Sequence, residues 1–276
     1  MSSTTLLRSR AANGIAYHRT GGGSPVVLIH GVGLRSESWL PQIDALAIRY
    51  SVNAADMPGH GESSAMELSA PTIGQYADRM AAFIEATVGE PAILIGHSMG
   101  ALIVLDIAAR FPTLCRGVAA ITAVYRRSQA ATQAIQERAR AIRLSDDDDL
   151  ATSPVTRWFG ASPTGEEARL AALCIQWLTE GDRDGYATAY GVFANQDGLS
   201  DAALASIDVP ALFLTADGDP NSTPEMSRAM AQIAPRGEAL VIEGARHMVQ
   251  LTHPEEINAA LGEFCARCDT QAAELR

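Results

Sequence analysis

The segment from Pro91 to Gly100 restricts the fold of this chain more than any other part of its sequence. It reads Pro-Ala-Ile-Leu-Ile-Gly-His-Ser-Met-Gly, which is an apolar strand, a sharp turn and the start of a helix. Ser98 lies in the turn between Gly96 and Gly100, where larger side chains would clash with the strand and the helix. The pattern predicts that Ser98 projects from a buried strand at the positive end of a helix, which favours negative charge developing beside it.

Short apolar runs alternate with longer helical patterns along most of the chain. The runs that predict strands are Val26–Ile29, Tyr50–Ala55, Ala92–Ile95, Val118–Val124, Ala211–Thr215 and Ala239–Ile242. Between them, Ile73–Val88 and Met99–Arg110 carry apolar residues at three- and four-residue steps, as helices do. Weaker patterns at Thr5–Arg8 and Gly14–Arg19 predict an antiparallel hairpin at the edge. The order predicts an α/β protein with a mostly parallel, eight-stranded sheet flanked by helices.

The alternation stops between residues 125 and 207, where the pattern is helical. Three helices are expected there, Gln129–Arg143, Glu166–Thr179 and Asp182–Ala194. We therefore predict an inserted helical cap at 125–207 and a core formed by 1–124 and 208–276. Inside the insertion, Asp146–Asp149 is interpreted as a solvated helix start and not as a cation site, because consecutive side chains point in different directions.

The charge balance restricts the partners of the chain. Its 276 residues carry 21 basic and 32 acidic side chains, a formal net charge of −11, so nucleic acid and anionic membranes would be repelled. No segment has the length and apolarity of a signal peptide or a membrane span. We therefore predict a cytoplasmic protein that binds neither nucleic acid nor a membrane.

The four cysteines do not form the spacing of a disulfide framework or a zinc ribbon. They are Cys115, Cys174, Cys265 and Cys268. The last two form one C-x-x-C pair on a predicted helix, for which a redox or metal role is conceivable. We favour a structural role because no second ligand pair accompanies them, and we expect no metal and no cofactor.

A serine hydroxyl is a weak nucleophile that needs a base, held in turn by a third group. Among the histidines that follow Ser98, His247 lies in the loop after the last predicted strand, whereas His253 precedes a helix start. Asp217 and Asp219 both follow the seventh strand, but Asp217 precedes a glycine, as in a common turn pair. The sequence favours His247 as the base and Asp219 as the acid, with Asp217 and His253 as the alternatives.

From about residue 14 to residue 264, the chain resembles the α/β-hydrolase superfamily, in particular serine esterases and lactonases with a helical cap. The resemblance rests on the motifs His30–Gly33, Asp56–Ser63, Gly96–Gly100, Asp219–Pro220 and Ala245–His247. Ala216 and Arg246 depart from it, since many relatives have glycine at those positions. It implies the α/β-hydrolase fold and a carboxylic-ester hydrolase with a Ser-His-Asp triad.

The same resemblance assigns individual residues. It implies Ser98, Asp219 and His247 as the catalytic residues and the backbone N–H groups of Val32 and Met99 as the oxyanion hole. It also implies that His30, Asp56, His60 and Ser63 brace that neighbourhood and that His97 is structural or lies at the pocket edge. The expected reaction is hydrolysis of a small ester or lactone through an acyl-enzyme.

Four other functions stay open at this point. Relatives that hydrolyse C–C bonds of ring-fission products often carry tryptophan after the histidine, and here that residue is Met248. Thioester hydrolysis and perhydrolysis are also compatible with the motifs. A non-catalytic, ligand-binding protein of the same fold would retain them too.

The predicted cap carries most of an aromatic cluster. Its members are Trp158, Phe159, Trp177, Tyr186, Tyr190 and Phe193. They are expected either to line a pocket for a small molecule with an apolar or aromatic group, or to pack the cap onto the core. A monomer or a homodimer is expected.

Overall fold

The computed structural model describes residues 5–68, 70–144 and 152–274 and contains a sheet of eight strands. The strands are β1 (Ser9–Arg10), β2 (Ala16–Thr20), β3 (Pro25–Ile29), β4 (Ser51–Ala55), β5 (Ala92–His97), β6 (Cys115–Ile121), β7 (Ala211–Ala216) and β8 (Gly237–Ile242). Their spatial order is β1-β2-β4-β3-β5-β6-β7-β8. The Asp146–Asp149 run lies outside the described residues, so its interpretation stays a prediction.

The sheet is parallel from β4 through β3 to β8, and antiparallel only at the edge formed by β1 and β2. This confirms the predicted mostly parallel sheet. The predicted β6 was placed too far along the chain, because Thr122 has a φ of 52° and ends the strand. Such a left-handed backbone conformation is incompatible with a continuing strand.

The first edge strand also lies later than Thr5–Arg8, at Ser9–Arg10. The preceding residues are held by side chains, since Leu6 N–H donates to Glu37 Oε1 over 3.2 Å. The Arg8 guanidinium is buried against Glu37 and donates from Nε to Asp56 Oδ2 over 2.6 Å. Contacts this distant along the chain leave no trace in the local sequence pattern.

Eleven α-helices in the described residues connect and flank the strands. They are α1 (Leu40–Leu46), α2 (Ile73–Phe83), α3 (Met99–Arg110), α4 (Gln129–Leu144), α5 (Thr152–Phe159), α6 (Gly165–Glu180), α7 (Arg183–Ala194), α8 (Asp201–Ala205), α9 (Pro224–Ile233), α10 (Val249–Thr252) and α11 (Pro254–Glu274). Short 3₁₀ helices cover Ser36–Trp39 and Pro112–Leu114, and Ile84–Val88 continues α2 as a π-helix.

Two apolar clusters cover the two faces of the sheet. Val27 and Ile29 belong to one cluster, and Val26 and Leu28 belong to the other, because successive strand residues point to opposite faces. All four residues are fully buried. Each such side chain contributes about 1.5 to 3 kcal/mol by its removal from water. The burial of both faces accounts for the continuous apolar strands of the sequence.

Helices α4 to α8 all lie between β6 and β7. A third apolar cluster joins Trp158 of α5 and Trp177 of α6 to Leu34, Met248 and Leu251 outside the insertion. Helices α5 and α8 have only 8 and 5 residues, too few for a clear helical period, and the sequence did not predict them. The domain boundaries at 125 and 207 stay a prediction. In the described part of the chain, no helix is long and apolar enough to cross a membrane.

The turn after β5 predicts a large cost for any side chain at Gly100. A Cβ there would lie 2.1 Å from the Ile29 carbonyl oxygen and 2.5 Å from that of His30. Both oxygens are backbone atoms, one at the end of β3 and one directly after it, so they cannot move aside easily. We therefore expect Gly100→Ala to lower the free energy of unfolding by about 1 to 3 kcal/mol or more. Urea unfolding measures this.

Gly262→Ala is the matched control, since Gly262 lies in α11 and a Cβ there meets nothing within 4 Å. It should raise the free energy of unfolding by up to about 1 kcal/mol through helix propensity. Equal stability of the two variants would contradict the close approach of α3 to β3.

Candidate active site

Ser98 occupies a strained backbone turn between β5 and α3. Its φ of 56° and ψ of −115° lie outside the regions that serine ordinarily adopts. The Ser98 N–H donates to the Ile121 carbonyl over 2.8 Å, which ties the turn to the end of β6. A Cβ at Gly96 would lie 2.2 Å from the Gly100 carbonyl oxygen. The two glycines therefore permit the turn that places Ser98 beyond the sheet.

Asp219 and His247 meet at the carboxyl ends of β7 and β8. His247 Nδ1–H donates to Asp219 Oδ2 over 2.6 Å, and Asp219 Oδ1 accepts from the Asn221 N–H over 2.8 Å. Asp219 is only 3% exposed. Burial opposes its ionisation, but the facing His247 and the two hydrogen bonds hold the pKa of this carboxyl below its ordinary value. The carboxylate therefore fixes which nitrogen of His247 carries the proton.

The two competing residues lie elsewhere. Asp217 is exposed and its N–H bonds to the Ile242 carbonyl, so it belongs to the turn between β7 and Asp219. His253 is half-buried and its Nδ1 pairs with Thr252 Oγ1 over 2.9 Å, at the end of α10. Neither residue takes part in the contact between Asp219 and His247.

His97 supports the loop of His247 through a hydrogen bond to its backbone. Its Nε2–H donates to the His247 carbonyl over 2.9 Å, and the two rings lie 4.9 Å apart. Burial, reinforced by the neighbouring His247, lowers the pKa of His97 to about 3. His97 is therefore a neutral donor that holds the loop of His247, and it also lines the cavity beside Ser98.

The loops after β3 and β4 are joined by two reciprocal hydrogen bonds. His30 Nε2 accepts from the Met57 N–H over 2.9 Å, and His60 Nε2 accepts from the Gly33 N–H over 3.0 Å. Burial lowers the pKa of both imidazoles, that of His30 to about 3, so both keep the lone pair that accepts. This pairing fixes the backbone on either side of Val32.

Asp56 and Ser63 strengthen the same region. Asp56 Oδ1 accepts from the Ser36 N–H over 2.8 Å, and Ser63 Oγ donates to the Asp56 carbonyl over 2.7 Å. Burial opposes the ionisation of Asp56, but the Arg8 guanidinium and the other contacts lower its pKa. The carboxylate thus stays charged inside the core, compensated by Arg8.

Several backbone N–H groups near Ser98, those of Val32 and Met99 among them, have no acceptor among the described residues. The N–H groups of Gly33, Leu34 and Ser98 all donate within the protein. Those of Val32 and Met99 donate no hydrogen bond among the described residues, and Met99 is the first residue of α3. A developing oxyanion beside Ser98 would find donors of this kind at the positive end of the helix.

A cavity of about 30 Å³ joins Ser98 to His247. It has room for roughly two water molecules. Of the aromatic residues that the sequence singled out, Trp158, Tyr190 and Phe193 line it. The Trp158 ring stacks on that of His247 at 6.3 Å.

The other predicted pocket residues lie apart from this cavity. Trp177 and Tyr186 line a second cavity of about 120 Å³. Phe159 is buried in the third apolar cluster. Conversely, the sequence missed Arg157 and Asn221, which line the Ser98 cavity. The only signal in the sequence is their position: Arg157 directly precedes Trp158, and Asn221 follows Asp219 by two positions.

The cysteines of the chain are buried and unpaired. Burial raises the pKa of Cys115 and of Cys268 to about 12, so these thiols stay protonated. In residues 5–68, 70–144 and 152–274, no cluster of three or more histidine, cysteine or acidic side chains is arranged to hold a metal ion.

Comparison with known proteins identifies the family. A model of the alpha/beta hydrolase family matches residues 26–260, which is most of the chain. The chain belongs to the α/β-hydrolase family. The resemblance inferred from the motifs and the predicted fold class are both confirmed.

Several relatives have hydrolase names. The (E)-2-((N-methylformamido)methylene)succinate hydrolase of Acinetobacter baylyi is 41% identical over 246 residues, covering 89% of this chain and 91% of that protein. The 3-oxoadipate enol-lactonase 1 of the same organism is 30% identical and covers 84% of each chain. The enol-lactonase structure from Burkholderia xenovorans LB400 has a TM-score of 0.81 at 24% identity, covering 91% of this chain and 96% of that one, which shows the shared fold. This α/β-hydrolase is an enzyme that hydrolyses small substrates.

The buried histidines predict that acid destabilises this α/β-hydrolase. An unfolded histidine titrates near 6.5, whereas His97 titrates at about 3 when folded, so the unfolded chain binds more protons between those values. Stability is therefore complete above about pH 6.5 and falls toward pH 3, by up to about 1.4 kcal/mol per pH unit for each such group. We expect His97→Gln, whose amide retains a donor, to reduce this slope by about that amount.

Urea unfolding at pH 4.5, 5.5, 6.5 and 7.5 measures the slope. Gly262→Ala, which removes no titrating group, should give a curve parallel to that of the unaltered protein. Parallel curves for His97→Gln as well would contradict the neutral, buried state of His97.

Proposed function

We propose that this enzyme is a serine hydrolase that cleaves a small carboxylic ester or lactone through an acyl-enzyme on Ser98. The observation that carries the proposal is the bond from His247 to the buried Asp219 beside a cavity that also contains Ser98. Ser98, Asp219 and His247 follow β5, β7 and β8 at the same edge of the sheet, which supports their assignment as nucleophile, orienting acid and base.

Each group has a defined role in this mechanism. Asp219 accepts from Nδ1–H of His247, which leaves Nε2 unprotonated and able to take the proton of Ser98 Oγ. Ser98 attacks the acyl carbon, and the protonated His247 returns its proton to the leaving group. A water molecule activated by the same base then hydrolyses the acyl-enzyme.

We assign the oxyanion hole to the N–H groups of Val32 and Met99. Their lack of a partner among the described residues supports this assignment. Removal of one such donor typically costs about 2.7 to 4 kcal/mol of transition-state stabilisation. We further propose that the 125–207 insertion caps the site, since its residues Trp158, Tyr190 and Phe193 line the Ser98 cavity.

The relatives favour two kinds of scissile bond. The enol-lactonase supports a lactone or an ester. The hydrolase named for an (N-methylformamido)methylene succinate is the more similar of the two and supports an enamide as a second candidate. The same acyl transfer to Ser98 serves both bonds, because only the leaving group differs. A C–C bond hydrolase and a non-catalytic binding protein are the alternatives. Turnover assays with a panel of esters, lactones, enamides and vinylogous diketones separate them.

The acyl-enzyme gives the first prediction for catalysis. An organophosphonate probe should add one phosphonyl group to Ser98 and to no other serine, and Ser98→Ala should abolish both labelling and turnover of an aryl ester. During turnover, added hydroxylamine should divert acyl groups into hydroxamate at the expense of acid, because it competes with water for the acyl-enzyme. Mass spectrometry and product analysis measure these outcomes. Hydrolysis that persists in Ser98→Ala would exclude the mechanism.

The acid and the base can be tested against matched neighbours. Asp219→Asn and His247→Ala should each lower kcat by about 10³-fold or more, because they remove the orienting carboxylate or the base. Asp217→Asn and His253→Ala should change kcat by less than about threefold, since neither contacts the Asp219–His247 pair. Steady-state kinetics with one aryl ester decides the matter, and the reverse pattern would refute the assignment while leaving the fold unchanged.

A further inference from the structure

We propose that Arg157 binds a carboxylate of the substrate, so that preferred substrates carry a free acidic group in addition to the bond that is cleaved. The inference rests on the proposed function of Ser98, because it concerns the same cavity. It assigns a specificity-determining role to a residue that neither the motifs nor the aromatic cluster indicated.

The charge of the cavity is the first observation. Its lining contains one permanently cationic side chain, that of Arg157, and no aspartate or glutamate. The remaining lining groups include apolar side chains such as Ile135 and Phe193 and the neutral amide of Asn221. The chain as a whole has a net charge of −11, so a positive cavity is a local exception. An anionic substrate is attracted to such a site and repelled elsewhere.

The position of Arg157 is the second observation. It lies in the last turn of α5, directly before Trp158, whose ring stacks on His247. The positive charge of Arg157 also affects the buried Tyr186. Burial raises the pKa of Tyr186, and the charge of Arg157 opposes this rise. Arg157 thus lines the cavity from the same helix whose Trp158 stacks on His247.

The partners of Arg157 are the third observation. Its Nη1 donates to Ser153 Oγ over 2.8 Å, and it belongs to none of the ion pairs between described residues. Among the described residues no carboxylate pairs with this half-buried cation, and the cost of its partial burial is offset when an anion binds. By contrast, Arg8 is compensated by Glu37 and Asp56. A planar guanidinium accommodates a carboxylate through two parallel hydrogen bonds.

Matched esters test the proposal. The substrates are the 4-nitrophenyl monoester of glutaric acid, which keeps a free carboxylate, and 4-nitrophenyl valerate, a neutral ester of the same chain length. The unaltered enzyme should prefer the glutarate ester in kcat/KM. Arg157→Gln should lower kcat/KM for the glutarate ester by about 10- to 100-fold, mainly through KM, the loss expected for a hydrogen bond to a charged group. For the valerate ester it should change kcat/KM by less than threefold.

Arg246→Gln is the matched control. Arg246 is exposed and its guanidinium lies beside Gly160 at the end of α5, but it does not line the cavity. It should change kcat/KM for either ester by less than threefold. Arg157→Lys should recover part of the preference, because it restores the charge without the bidentate geometry. Equal losses for both esters in Arg157→Gln, or a loss in Arg246→Gln that matches it, would overturn the proposal.

A binding measurement separates this inference from the proposed function. Calorimetric titration of Ser98→Ala with glutarate requires no turnover, and the affinity should fall about 10-fold or more when Arg157→Gln is added. If no ester is hydrolysed but glutarate still binds through Arg157, the proposed acyl-enzyme fails and the carboxylate site stands. If glutarate binds both variants equally, the carboxylate site fails whatever the esters show.

Discussion

The close approach of α3 to β3 is the constraint on which the site depends. Gly100, two residues after Ser98, allows the first turn of α3 to lie against the carbonyls of Ile29 and His30, and the backbone conformation of Ser98 is strained. The same contact brings the Val32 loop alongside the start of the helix. Ser98 and the N–H groups of Val32 and Met99 are therefore positioned by the same packing of α3 on β3, which accounts for a strained residue in a well-packed place.

Buried neutral histidines surround this contact and stabilise it without charge. His30, His60 and His97 each use one ring nitrogen to hold a loop, and burial keeps each of them uncharged. His247 differs because it faces the carboxylate of Asp219. That contact with a carboxylate distinguishes His247 from its three neighbours, and the proposed mechanism assigns the role of base to it.

Much of this architecture could be predicted from the sequence because it is encoded locally. The buried strands are continuous apolar runs, and α3 begins and ends at the same residues as its pattern of apolar residues at three- and four-residue steps. Features that depend on distant partners could not be predicted in this way. The start of β1 depends on the ion pairs of Arg8, and the end of β6 depends on the left-handed conformation of Thr122. Arg157 was missed because α5 is too short for its face to be recognised.

The small cavity beside Ser98 affects the dissociation constant of any substrate that binds there. Drug-sized ligands occupy pockets of about 300 to 1,000 Å³, whereas this cavity measures about 30 Å³. Under the proposed function, an ester enters only those molecules in which this cavity is wider, so the observed dissociation constant is the intrinsic one divided by the fraction of such molecules. Substitution of Trp177, which shares an apolar cluster with Met248 but does not line the Ser98 cavity, would then change KM without any contact to substrate. Under this proposal, tight packing of that cluster and tight binding of substrate oppose each other.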